Sequence, residues 1–132
     1  MSKEPLYIAV IDDEEPVRKA LGRLLKSAGF AVRIFSGGKQ FLDSLTARPP
    51  VCAVLDLHMP DMTGFEVLAH LALTGGRVPV VVITGHDAPD AEDHALSAGA
   101  AAYLLKPIND LILLDAITAA VARPSDLPHL NP

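Results

Sequence analysis

Residues 51–64 read Val51-Cys52-Ala53-Val54-Leu55-Asp56-Leu57-His58-Met59-Pro60-Asp61-Met62-Thr63-Gly64, and this stretch decides the fold. Small or branched apolar residues in an unbroken run predict a strand buried on both faces. Asp56 closes that run. Pro60 and Gly64 then break regular structure, and a helical pattern opens beyond them. A carboxylate at the end of a buried strand, at the mouth of a strand-to-helix loop, stands where open α/β sheets bind ligands and do chemistry. Taken alone, Asp56 reads equally well as the start of a turn. The other strand ends decide between the two.

Working outward, the same unit recurs. Tyr7 to Ile11 is a buried strand ended by Asp12-Asp13-Glu14-Glu15. Pro16 suits the first turn of a helix, where its missing N–H costs nothing. Val17, Leu21, Leu24, Leu25 and Ala28 share one face of that helix, and Gly29 terminates it. Ala31 to Phe35 reads as a strand, Ser36 as a helix N-cap, and Phe41, Leu42 and Leu45 as the inner face of the next helix. Arg48-Pro49-Pro50 ends it. Thr63 and Glu66 have capping-box spacing, with Phe65, Leu68, Ala69 and Ala72 facing inward and Gly75 and Gly76 as the stop. Val80 to Ile83 is a buried strand closed by Thr84-Gly85-His86. Asp90 to Ala98 is a short Ala-rich helix, and Ala101 to Leu105 a last strand, followed by Lys106-Pro107.

Asn109 caps a final helix from Asp110 to Arg123. In it Leu111, Leu114, Ile117 and Val121 are expected to face the sheet. That leaves Ile112, Leu113, Ala116 and Ala119 or Ala120 over, as apolar surface for a homodimer or effector contact along this helix and the one before it. Residues 1–123 form one domain, and residues 124–132 a proline-broken tail or the start of a linker. Strands alternating with helices imply a parallel sheet, right-handed crossovers and helices on both faces: a (βα)5 three-layer α/β domain. Periodicity leaves the strand order open. The function argued below favours 2-1-3-4-5.

Composition narrows the classes. The chain has 132 residues, half of them hydrophobic, which fits one domain with its own core and excludes a disordered chain. Its formal charge is −5 with no basic block, which argues against direct contact with nucleic acid. A single cysteine, Cys52, makes no internal disulfide and points to a reducing compartment; inside an apolar run it reads as an inert core residue. No run is long and apolar enough for a membrane span, and none follows the N-terminus as a signal peptide would. A cytoplasmic protein is expected.

In a parallel sheet every strand C-terminus lies on one edge. This chain sends Asp12, Asp13, Asp56, Thr84 and Lys106 there. At ~4 Å and an effective dielectric near 20, each pair of ionised carboxylates costs roughly 4 kcal/mol. Either one acid stays protonated or a cation is recruited. Hard oxygen ligands with room for water suit Mg²⁺. An acid held ionised by a metal and a lysine is available as a nucleophile toward phosphorus, with Lys106 and Thr84 left to receive phosphoryl oxygens.

The set Asp12-Asp13, Asp56 with Met59-Pro60 and Gly64 after it, Thr84, and Lys106-Pro107 resembles the receiver domain of bacterial two-component response regulators, from about Leu6 to about Ala122. The resemblance implies a flavodoxin-like fold and Mg²⁺-dependent phosphorylation of Asp56 by the phosphohistidine of a sensor histidine kinase or a phosphotransfer protein. It implies Mg²⁺ bound by Asp13, Asp56 and the backbone carbonyl of His58, with Asp12 acting through water. Lys106 would pair with the phosphoryl group, Thr84 would hydrogen-bond it, and Tyr103 would be the aromatic that turns inward as Thr84 moves. The Lys106–Pro107 bond would be cis.

Ile83-Thr84-Gly85-His86 and the stretch from Asp12 to Arg18 are similar to receivers that drive helix-turn-helix transcription factors. This chain is expected to be a free-standing receiver or one cut from a longer protein. Ile108 departs from the aromatic common after the Lys-Pro pair. The expected activity is that of a phosphoacceptor switch that catalyses its own phosphorylation and autodephosphorylation, not of an enzyme on an external substrate. A haloacid-dehalogenase-type phosphatase wants a second Asp two residues after the nucleophile, where this chain has His58. A glycine-rich phosphate loop for a dinucleotide is absent after the first strand. His58 is expected to project over the phosphoryl site and tune its lifetime, against a solvated loop residue. His86 is a similar case. His70, His94 and His129 read as surface residues.

Overall fold

Each apolar run forms a strand, and each run is followed by a helix. The computed structural model describes residues 6–74 and 78–122. In chain order the elements are β1 (Tyr7–Ile11), α1 (Glu15–Ser27), β2 (Ala31–Phe35), α2 (Gly38–Ser44), β3 (Cys52–Asp56), α3 (Gly64–Thr74), β4 (Val80–Thr84), α4 (Ala91–Ser97), β5 (Ala102–Leu105) and α5 (Asp110–Ala122). All strand pairings are parallel, in the order β2-β1-β3-β4-β5. This is the doubly wound architecture expected from the alternation, with the favoured strand order. Every residue of β1, β3 and β4 is buried, as continuous apolar runs at the centre of a covered sheet require.

Alternation along the strands sorts the side chains into two cores. Ile8, Val10, Cys52, Val54, Val81 and Ile83 pack with Leu21 and Leu25 of α1 and with Leu113, Ile117 and Ala120 of α5. Tyr7, Ala9, Ile11, Ala53, Leu55 and Val82 point the other way, toward Phe41 of α2, Val67, Leu68 and Leu71 of α3, and Ala95 of α4. Burial pushes the Cys52 thiol up to about 12, so it is inert, as its place in the run implies.

Three local expectations change. Ser36 does not cap α2: the N-cap is Gly37, in extended conformation and without a side-chain bond. At the next position, Gly38, the first residue of α2, lies so close to α3 that a Cβ there would sit 2.5 Å from Val67 Cγ2. In α3 the buried face is Gly64, Val67, Leu68 and Leu71, while Ala69 and Ala72 are exposed. Gly64 sets that rotation: a Cβ there would lie 2.6 Å from the Asp56 carbonyl oxygen and 2.8 Å from Leu57 Cα, so the helix begins in backbone contact with the site loop.

In α5 the buried residues are Leu113, Ile117 and Ala120, whereas Leu111 (71 % exposed), Ile112 (54 %) and Val121 face solvent. The expected sheet-facing set is therefore rotated. A helix apolar on every side carries no period from which to read its inner face. The Thr63–Glu66 capping box is formed as expected: the Thr63 N–H donates to Glu66 Oε1 at 2.8 Å and the Glu66 N–H to Thr63 Oγ1 at 3.2 Å. The Ile112 N–H donates to Asn109 Oδ1 at 3.0 Å, which makes Asn109 the cap of α5. The stop at Gly75-Gly76, Arg123 and the 124–132 tail lie outside the described residues. Among the described residues no helix is long and apolar enough to cross a membrane.

Candidate phosphoryl-acceptor site

The C-terminal edge of the sheet brings the expected residues together. Among the described residues Asp12, Asp56 and Thr84 are the buried polar or charged side chains; Asp12 directly follows β1, and Asp56 and Thr84 end β3 and β4. One carboxylate oxygen each from Asp12, Asp13 and Asp56 lies within 4.8 Å of the others. Asp13 is exposed, which leaves the cluster open to solvent on one side.

Backbone ties hold this edge. The Asp12 N–H donates to the Phe35 carbonyl at 3.2 Å, the Glu14 N–H to Asp12 Oδ1 at 2.9 Å, and Arg18 Nη1 to the Asp12 carbonyl at 2.9 Å. The Leu57 N–H continues the ladder onto the Ile83 carbonyl at 3.1 Å, and the His58 N–H donates to Asp56 Oδ1 at 3.2 Å. The Lys106 N–H donates to the Thr84 carbonyl at 2.8 Å. That bond fixes where the lysine leaves β5, and the Lys106–Pro107 peptide that follows is cis.

Lys106 reaches across the edge. Its ammonium lies 2.9 Å from Asp12 Oδ2, 3.6 Å from Glu14 Oε1 and 3.7 Å from Asp56 Oδ2. Burial would lower its pKa, but the hydrogen bond to Asp12 and the charges of Asp56, Asp12 and Glu14 outweigh burial and raise it. The lysine is therefore a fixed positive charge. Burial first, and then the Asp12 charge, push the Asp56 carboxyl from 3.8 up to about 6, although Lys106 and the His58 N–H pull it back. Two buried acids and a third at the rim outnumber the one ammonium. The donor set fits a hard divalent ion: oxygen ligands, a solvent-open side, and an uncompensated negative charge.

The hydroxyl of Thr84 is engaged in its own turn. Thr84 Oγ1 donates to the His86 carbonyl at 3.2 Å and accepts the His86 N–H at 3.0 Å. Tyr103 is half-buried against the α2–α3–α4 core, and its hydroxyl donates to Asp87 Oδ1 at 3.2 Å. Burial and Asp87 together raise the phenol's pKa.

Several participants were missed in the sequence. Glu14 reaches Lys106, and the acidic run from Asp12 to Glu15 was its signal. Arg18, on α1, bonds the Asp12 carbonyl, and Asp87, after β4, accepts from the Tyr103 hydroxyl, with no signal beyond polarity. His58 and His86 come together with ring centroids 4.6 Å apart and planes at 67°. Both were singled out in the sequence, but not as a pair; the pairing follows from position, since each lies two residues beyond the end of neighbouring strands, Asp56 of β3 and Thr84 of β4. His94 stacks on Phe65 with centroids 4.1 Å apart, and His70 lines an apolar groove.

The response regulator receiver domain model matches residues 8–118, and the chain belongs to that family. It is 39 % identical to the transcriptional regulatory protein FixJ of Rhizobium meliloti (strain 1021) over 129 residues, which cover 94 % of this chain and 63 % of that protein. It is 35 % identical over 121 residues to the response regulator protein TodT of Pseudomonas putida (strain ATCC 700007), covering 92 % of this chain and 53 % of that one. The chain thus spans less than two thirds of the length of these relatives. Among solved structures, a crystal structure of FixJ-N is similar with 36 % identity and a TM-score of 0.82, covering 96 % of this chain and 99 % of the other. A response regulator receiver protein from Burkholderia phymatum is similar with 42 % identity and a TM-score of 0.78, covering 90 % and 98 %.

Proposed function

We infer that this domain accepts a phosphoryl group on Asp56 from the phosphohistidine of a sensor histidine kinase or phosphotransfer protein, and that the modified state controls an output partner or a transcription-factor domain. The observation that carries this reading is the cluster of Asp12, Asp13 and Asp56 with one ammonium beside it, Lys106 lying 2.9 Å from Asp12 and 3.7 Å from the buried Asp56. Asp13, Asp56 and the His58 carbonyl would hold Mg²⁺, with Asp12 acting through water. The ion would keep Asp56 ionised and offset phosphoryl charge. An Asp56 oxygen attacks phosphorus, the P–N bond of the donor breaks, and its electron pair returns to the imidazole. Lys106 then pairs with a phosphoryl oxygen. An apolar groove of about 530 Å³ between α1 and the turn after Lys106 borders the site, and the donor's helix would seat there.

The Thr84 hydroxyl has one proton to donate. To bond a phosphoryl oxygen it must leave the His86 carbonyl, and that exchange loosens the loop between β4 and α4. Tyr103 would leave Asp87 and fill the space vacated. FixJ and TodT are named as regulators, which supports an output of that kind. Leu96, Leu105, Leu111 and Ile112 are exposed on α4, β5 and α5, where a second copy or effector would bind. Neither nucleic acid nor membrane is a direct partner in this reading, and the location is cytoplasmic.

The test is incubation with acetyl phosphate and Mg²⁺ followed by intact-mass measurement. A phosphoryl increment that Asp56→Asn abolishes is expected. No increment in the parent, or one retained by the variant, would overturn the assignment.

A further inference from the structure

We propose that the side chains of His58 and His86 together form a binding site for one borderline transition-metal ion, of the zinc, nickel or copper class, distinct in its donor atoms from the oxygen cluster of Asp12, Asp13 and Asp56.

β3 and β4 are neighbouring parallel strands in the register Asp56↔Ile83, so the loops that follow them leave the sheet side by side. Each loop presents an exposed imidazole, and the ring centroids stand 4.6 Å apart. Two imidazoles on one tetrahedral zinc, with Zn–N bonds of about 2.0–2.1 Å, place their centroids about 5 Å apart. Rotamer adjustment of two exposed rings covers the difference. Both backbones are already anchored: His58 by its N–H on Asp56 Oδ1, and His86 by both of its bonds with the Thr84 hydroxyl. Imidazole nitrogens select against Mg²⁺, and carboxylate oxygens favour it, so the two sites discriminate by ligand chemistry. The acid cluster, which the His58 N–H touches through Asp56 Oδ1, adds a field that attracts any cation.

The consequence rests on the phosphoacceptor reading above. An ion bridging the rings pins the loop between β4 and α4 where the Thr84 hydroxyl donates to the His86 carbonyl. Phosphorylation requires that hydroxyl to leave. The bound ion therefore opposes the switch.

The experiment titrates Zn²⁺, in excess Mg²⁺, into the untagged Asp13→Asn/Asp56→Asn protein by calorimetry. One equivalent is expected to bind. His58→Ala or His86→Ala, added to that background, should weaken binding about tenfold or more, and His70→Ala should leave it unchanged. Loss of zinc binding in the double Asn protein, or binding untouched by both histidine changes, would overturn the site. A second arm follows acetyl phosphate labelling of the otherwise native chain with and without Zn²⁺. Zinc should slow labelling in the parent and have no effect in His86→Ala. Unslowed labelling at saturating zinc overturns the regulatory step. If the zinc-free parent is not labelled at all, the phosphoacceptor reading fails while the calorimetric result stands.

Discussion

Replacing Asp56 with asparagine separates the electrostatic strain of the site from its chemistry. Asp56 is 3 % exposed, and its carboxyl is pushed from 3.8 to about 6, by burial first and by the Asp12 charge second. An acid whose folded pKa is raised keeps its proton longer in the folded chain than in the unfolded one. Stability attributable to it is present below about pH 4 and is lost as pH climbs toward 6, because the unfolded state releases its proton first. A shift of roughly two units corresponds to roughly 3 kcal/mol at 1.36 kcal/mol per unit. Asparagine is neutral throughout and escapes that loss. The assay is urea unfolding of parent and Asp56→Asn in a metal chelator at pH 4 and pH 7.5. The stability difference should move in favour of the variant by roughly 3 kcal/mol between the two pH values. Excess Mg²⁺ at pH 7.5 should raise the parent's midpoint and leave the variant's almost unmoved. A difference that stays constant across the pH range would refute the claim that Asp56 is held, ionised and under-compensated, among other acids.

Other substitutions test the scaffold. Gly64→Ala would drive a Cβ to 2.6 Å from the Asp56 carbonyl oxygen, so we expect about 1–3 kcal/mol of destabilisation in urea unfolding and slower acetyl phosphate labelling. Lys106→Met should lower stability at pH 8 by about 1.5–3 kcal/mol, since Asp12 loses its charged partner at 2.9 Å. The same change should raise the Asp56 pKa further, as followed by carboxyl NMR, because the Lys106 charge is the larger of the two influences that lower it. Thr63→Ala removes one half of a reciprocal cap and should cost about 1 kcal/mol by thermal unfolding. For α4 and α5, sedimentation with and without beryllofluoride should show a dimer in the beryllofluoride-bound state; a monomer in both states with no effector bound would contradict the surface assignment.

The parts of the fold that could be read in advance were those with a physical period or an unambiguous breaker. Buried parallel strands are continuous apolar runs, and those of β1, β3 and β4 ended on Asp12, Asp56 and Thr84, so topology alone delivered them to one edge. Asn109 and Thr63 announced their helices through caps that form as expected. The inner face of α5 was misplaced because Leu111, Ile112, Leu113 and Leu114 follow one another without a polar residue. Burial there is decided by which side meets the sheet, and that is a tertiary fact. The face of α3 was misread because Gly64 shows no hydrophobicity, yet its missing side chain sets the helix against Leu57. The Lys106–Asp12 pair spans most of the chain, and the choice of Asp12 as the nearest acid depends on register, which residue types do not encode.

The most direct measurement is location of the phosphoryl group itself. After treatment with acetyl phosphate and Mg²⁺, borohydride reduces an aspartyl phosphate to homoserine, and peptide sequencing by mass spectrometry finds the altered position. Conversion at Asp56, with none at Asp12 or Asp13, is the expected result. Conversion at Asp12 or Asp13, or none anywhere in protein whose intact mass shows the increment, would contradict the assignment of Asp56 as the acceptor.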